Sequence, residues 1–127
     1  MNNFDLEYQK SMRKISNSEK QFVLNLLKHS NLKVEIPEMV IQMKDGKMGS
    51  ISFDLAQNQT RNERIVAGNF MDDDGILIDF ELTIDLQGKL FELDFWKVDF
   101  SQLFSFPKEN EIKITFSTLN SNQIKRS

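Results

Sequence analysis

The 127 residues include 39% hydrophobic and 28% charged side chains and carry a net charge of −3. That balance lies near globular averages and makes a folded chain the default reading, and the length fits one domain burying roughly two-thirds of its unfolded surface. The absence of cysteine and the single histidine exclude disulfides, zinc-thiolate sites, thiol nucleophiles and multi-histidine metal sites.

Residues 1–14 read as a polar lead-in, in which Phe4, Leu6 and Tyr8 alternate as a short strand would. They lack the apolar stretch of a signal peptide, and no later run reaches the ~20 apolar residues of a membrane span, so a cytosolic protein is expected. Ser16 and Glu19 have the spacing of a capping box, and Phe22, Val23, Leu26 and Leu27 then recur at helical spacing. An amphipathic helix over about Asn17–His29 follows. His29 falls at its C-terminal end, where the helix dipole favours a cation; a capping or solvated role accounts for it, and a general base would need partners the sequence does not name.

From Leu32 the period changes to alternation. Met39–Lys44 and Met48–Asp54 flank Asp45-Gly46, a dipeptide suited to a type I′ hairpin turn. A polar loop, Gln57–Asn62, precedes a strand over Arg64–Met71. Asp74-Gly75 turns the chain into Ile76–Asp85, and Gln87-Gly88 turns it again into Leu90–Asp99. After Pro107 a last strand spans Ile112–Phe116, and residues 117–127 read as a tail. The expected fold is α+β: an N-terminal amphipathic helix packed on an antiparallel β-meander, forming one domain over residues 15–116. Neither a parallel βαβ pattern nor a glycine-rich phosphate loop is present.

The Gln87-Gly88 hairpin carries its own check. With those residues as the turn, Ile84 opposes Phe91, Leu82 opposes Leu93 and Phe80 opposes Phe95, all on one apolar face. The other face then pairs Thr83 with Glu92, Glu81 with Asp94 and Asp79 with Trp96. Beyond Phe95 the apolar phase shifts to Trp96, Val98 and Phe100, which suggests a β-bulge near Phe95-Trp96. Trp96 is then either a core residue beside that bend or an exposed anchor for a partner.

Charge is unevenly distributed. Nine carboxylates between Asp72 and Asp99 face only Lys89 and Lys97, so this segment is net −7 and the rest of the chain +4. Such polarity repels nucleic acid, and the aromatics lie among carboxylates instead of among Lys and Arg. Asp72-Asp73-Asp74-Gly75 invites an EF-hand reading, with Glu81 at the last ligand position. The first position would be Phe70, however, and the flanks read as strands, so a turn is the better account. Glu81 with Asp94 resembles a hydrolytic carboxylate pair but has no cleft around it that the sequence specifies. No catalytic, cofactor-binding or metal-ligating residue is assigned.

The segment Leu90-Phe-Glu-Leu-Asp-Phe-Trp-Lys-Val-Asp-Phe-Ser-Gln-Leu103, with Met48-Gly49-Ser50, Asp72 to Gly75 and Arg13-Lys14-Ile15-Ser16, resembles a family of small bacterial proteins of unknown function over roughly residues 13–107. Where that family has Ser-Pro-Leu, this chain has Ser101-Gln102-Leu103. The family brings no catalytic residues to carry over. Its members resemble stand-alone genes found beside polymorphic toxins, which implies a toxin-immunity role. The expectation is therefore a non-enzymatic immunity protein that binds a basic toxin domain through Asp79, Glu81, Glu92, Asp94 and Trp96, without nucleic acid, membrane or cofactor. The alternative is a small-molecule or metal-binding regulatory module using the carboxylates between Asp72 and Asp99.

Overall fold

A computed structural model of the chain describes residues 11–119; the alternating Phe4, Leu6 and Tyr8 and the tail beyond residue 119 lie outside them. The described chain is α+β, one helix with a seven-stranded antiparallel sheet. Strand β1 (Met12–Lys14) precedes helix α1 (Asn17–Leu27), followed by β2 (Met39–Gln42), β3 (Ile51–Ser52), β4 (Arg61–Met71), β5 (Leu77–Asp85), β6 (Leu90–Lys97), a 3₁₀ turn (Glu109–Glu111) and β7 (Lys113–Ser117).

The helix is thus not the first element, because Met12, Arg13 and Lys14 pair with Ile41, Val40 and Met39 as an edge strand. Its start is set by the expected capping box. The Ser16 hydroxyl accepts from the Glu19 N–H (3.1 Å), and the Glu19 carboxylate accepts from the Ser16 N–H (2.8 Å). That carboxylate also takes two bonds from the Arg13 guanidinium, at 2.8 and 2.7 Å, which fixes α1 against β1. Burial disfavours the Glu19 carboxylate, but Arg13 and Ser16 outweigh it and hold its pKa below the ordinary value. The helix is not cleanly amphipathic: Glu19 and Asn25 are buried beside Phe22, Val23 and Leu26, while Leu24 is exposed.

Strand order is β1-β2-β3-β6-β5-β4-β7. A meander is present only in β4–β5–β6; β3 joins it through Ile51–Leu93 and Ser52–Glu92, and β7 returns along β4. One sheet face is covered by α1, where Phe22 meets the rings of Phe70, Phe80, Phe95 and Phe106 at 5.2–5.7 Å between centroids. Such aromatic pairs contribute about 0.5–1.5 kcal/mol each beyond the area they bury. The opposite face is the outer one.

Two turn assignments shift. The first hairpin does not close on Asp45-Gly46. Residues 43–50 form a longer loop, with positive φ at Gly46, Lys47 and Gly49, and the Asp45 carboxylate accepts from the Ser50 N–H across it (2.8 Å). In the β5–β6 hairpin the register is as read from sequence between Asp79–Trp96 and Thr83–Glu92, but Ile84 opposes Leu90, leaving Phe91 as the bulge. The bulge is therefore near the turn and not at Phe95-Trp96. There Asp85 closes a wider turn by accepting from the Gln87 and Lys89 N–H groups (2.8 and 2.9 Å), and Gly88 takes the left-handed position at φ 81°.

Candidate functional site

Period-two alternation along β5 and β6 puts Ile78, Phe80, Leu82, Leu93 and Phe95 in the core, and so projects Asp79, Glu81, Glu92, Asp94 and Trp96 from the outer face. Direct cross-strand pairing brings Glu81 against Asp94 and Asp79 against Trp96. All five residues read from the sequence as partner-binding share this face. Among the described residues, Arg61 of the neighbouring strand pairs with Glu81 on this face, a partly exposed contact of at most ~1 kcal/mol.

Asp94 shows the electrostatic character of the face. Burial first, then the charge of Glu92 and a hydrogen bond with it, then the charge of Glu81, push the Asp94 carboxyl up to about 7. The protein therefore holds three carboxyl groups close enough that one retains its proton near neutral pH. Like charges opposed across a ladder destabilise it by a few tenths to ~1 kcal/mol.

Beyond Phe95 the alternation continues without a bend, and the apparent change of phase has another cause. Lys97 occupies the inward position, fully buried, and its ammonium donates to Asp72 (2.9 Å), Asp74 (2.6 Å) and the Gln102 carbonyl (3.0 Å), with the Phe104 ring 4.6 Å away. Burial works against the ammonium, but Asp74 and Asp72 outweigh it and raise its pKa. The Asp72 carboxylate also accepts from the N–H groups of Asp73, Phe104 and Ser105, and these bonds lower its pKa despite desolvation. Asp72 and Asp74 thus close the β4–β5 turn and hold the segment after β6. Among the described residues no cluster of three metal-ligating side chains forms.

Trp96 consequently stays outside, 48% exposed, and with it Val98 and Phe100. Phe100 was legible only as part of the shifted apolar phase; the inward lysine that causes the shift had no signal of its own. His29 lies just past α1, its N–H bonded to the Leu26 carbonyl (2.9 Å) as part of the helix end. The carboxylates from Asp72 to Asp99 separate into the outer face, the Lys97 site with the adjoining exposed Asp73, the Asp85 turn, and Asp99, which accepts from the Ser101 N–H and hydroxyl. Asp85 borders a surface cavity of about 440 Å³ with Gln59 and Lys89; its carboxylate already accepts from Gln59 Nε2 at 2.6 Å.

Three of the four segments that carry the sequence resemblance meet around the end of β6; the fourth, Arg13-Lys14-Ile15-Ser16, lies in β1 and the cap of α1. Ser50 Oγ bonds both the N–H and the carbonyl of Phe95, Gly49 lies against Leu103 and Phe95, and the Lys97 N–H meets Met48 Sδ. A family model described as "Domain of unknown function (DUF6984)" matches residues 12–107. The chain belongs to the DUF6984 family. No curated protein and no solved structure matches it. The DUF6984 match runs from β1 through the segment clamped by Asp72, and so takes in the whole outer face of β5 and β6; β7 falls beyond it.

Proposed function

We propose that this DUF6984 protein is a non-catalytic binding protein of the cytosol that neutralises a basic toxin domain by covering it with the outer face of β5 and β6. The observation that carries this reading is the gathering of Asp79, Glu81, Glu92 and Asp94 on one sheet face, with Glu81 directly opposite Asp94, where burial, Glu92 and Glu81 raise the Asp94 carboxyl to about 7. Repulsion among these groups is a cost in the free protein, and a cationic partner offsets it at the moment of binding. The toxin as occupant comes from the family resemblance of the strand motif; the acidic face supplies the chemistry by which such a partner is recognised.

The test is retention of a partner from the native host, identified by mass spectrometry, followed by binding kinetics at two salt concentrations. Glu92→Lys with Asp94→Lys reverses the face while leaving the Arg61–Glu81 pair in place. The expected result is a partner with a cationic surface, an association rate that falls with salt, and no binding by the folded double variant. Undiminished binding by that variant, or a partner without a cationic surface, overturns the reading.

A further inference from the structure

Phe100 has an unusual combination of properties for a large aromatic. It is 65% exposed, and its backbone sits in the left-handed region at φ 60°, a conformation that costs a bulky side chain energy and that glycine adopts freely. It closes a turn, its N–H bonded to the Lys97 carbonyl at 2.9 Å. Among the described residues its ring meets Trp96, edge-to-face at 6.2 Å and 69°. Neither burial nor backbone preference favours phenylalanine here.

The segment that presents this ring starts from β6, where Lys97 pairs with Ile78, and is tied down again just after Phe100. There Lys97 binds the Gln102 carbonyl, Asp72 accepts from the Phe104 and Ser105 N–H groups, and the Leu103 N–H donates to the Lys47 carbonyl at 3.1 Å. An aromatic fixed before binding forfeits little conformational entropy on contact. Trp96 and Phe100 stand on the outer side with Val98, and the sheet register puts the exposed Leu77–Met71 pair on the same face. Asp79, opposite Trp96, borders the rings with negative charge, and Asp94, two residues before Trp96, adds a carboxyl group opposite Glu81 that a cation would help to ionise.

We propose that Trp96 and Phe100 form a preformed aromatic anchor for a protein segment in which arginine or lysine alternates with apolar residues. The cation takes the ring faces and the flanking carboxylates, and the apolar residues cover Val98, Leu77 and Met71. Charge selects this occupant: a wholly apolar segment would cover Asp79 without offering it a counter-charge, and a second copy of the chain brings like-charged faces together. This inference rests on the acidic-face reading above and adds the anchor to it.

Trp96 is the one tryptophan of the chain, so its emission reports on the site directly. The probe is a synthetic peptide of about twelve residues alternating arginine and leucine, compared with arginine–serine and glutamate–leucine peptides. The expected result is saturable quenching by the arginine–leucine peptide, weaker binding of the other two, and at least a roughly tenfold loss of affinity in Phe100→Gly. Phe100→Gly removes the left-handed strain, so its melting temperature should not fall, and lost binding then cannot be ascribed to unfolding. Equal binding of the arginine–serine peptide, full affinity in Phe100→Gly, or a dimer in sedimentation that Phe100→Gly disperses would each overturn the anchor. If Phe100→Gly binds normally while Glu92→Lys with Asp94→Lys does not, the anchor fails and the acidic face stands; if both variants bind normally, both fail.

Discussion

At the scale of single residues, Asp94 and Lys97 are two titratable groups three positions apart with opposite solutions. Lys97 is buried with two carboxylates and a carbonyl around it. Asp94 is half-buried among carboxylates, and its pKa rises from 3.8 to about 7. Between those two values the folded state holds a proton that the unfolded chain has released, so stability falls as pH rises through that window. The contribution is present below about pH 4 and lost by about pH 7 to 8. Solvent screening at this partly exposed site limits it to ~1 kcal/mol. Asp94→Asn should therefore melt higher than wild type at pH 8 and about equally at pH 4, with a flatter dependence between, as followed by circular dichroism. A wild-type melting temperature that holds level with, or climbs relative to, that of Asp94→Asn between pH 4 and 8 would contradict this assignment.

At the scale of elements, the sequence is most legible where turn chemistry and alternation agree. The β5–β6 register from Asp79–Trp96 to Thr83–Glu92 follows from a turn near Gly88 and six apolar residues in phase. It fails by one residue at Phe91, because the carboxylate of Asp85 draws the turn wider than a two-residue loop. It misplaces the bend at Phe95-Trp96, because a lysine at an inward position looks like a break in phase. Strand β1 had no pattern to read: Met12-Arg13-Lys14 is too short to alternate, and Arg13 is positioned by Glu19 across the helix start and by Gln42, distant in the chain. The β4–β7 contact was equally hidden. Gly68 lies there without a positive φ, and a Cβ on it would land on the Lys113 carbonyl and within 2.9 Å of the Phe80 ring. A backbone carbonyl cannot yield as a flexible side chain can, so Gly68→Ala should cost about 1–3 kcal/mol and detach β7 in part. Chemical denaturation and amide exchange at Ile114 and Phe116 would report it. Leu93→Ala, in the middle of the core, should cost about 2–5 kcal/mol without favouring either edge.

At the scale of the whole molecule, the sheet is two groups of strands joined through a narrow contact. β6, β5, β4 and β7 form one group and β1 and β2 the other, and β3 links them to β6 with two residues. The Ser50 hydroxyl reinforces that link, accepting from the Phe95 N–H at 2.9 Å and donating to the Phe95 carbonyl at 3.3 Å, both buried. It takes the place of a further ladder pair. The acidic face and Trp96 belong to the larger group, whereas Phe100 also depends on Lys47 in the loop before β3, through Leu103. Ser50→Ala would leave the Phe95 N–H buried without its acceptor, at a cost of about 1–3 kcal/mol. Because the loss falls on the contact between the two groups, native-state hydrogen exchange should quicken selectively in β1 and β2, while the central amides of β4 and β5 follow only the smaller change in global stability. The exchange isotherms of β2 and β5 would then separate in the variant at low denaturant. Isotherms that stay merged, with every strand losing protection equally, would mean that the sheet opens as one unit and that Ser50 does not link two groups.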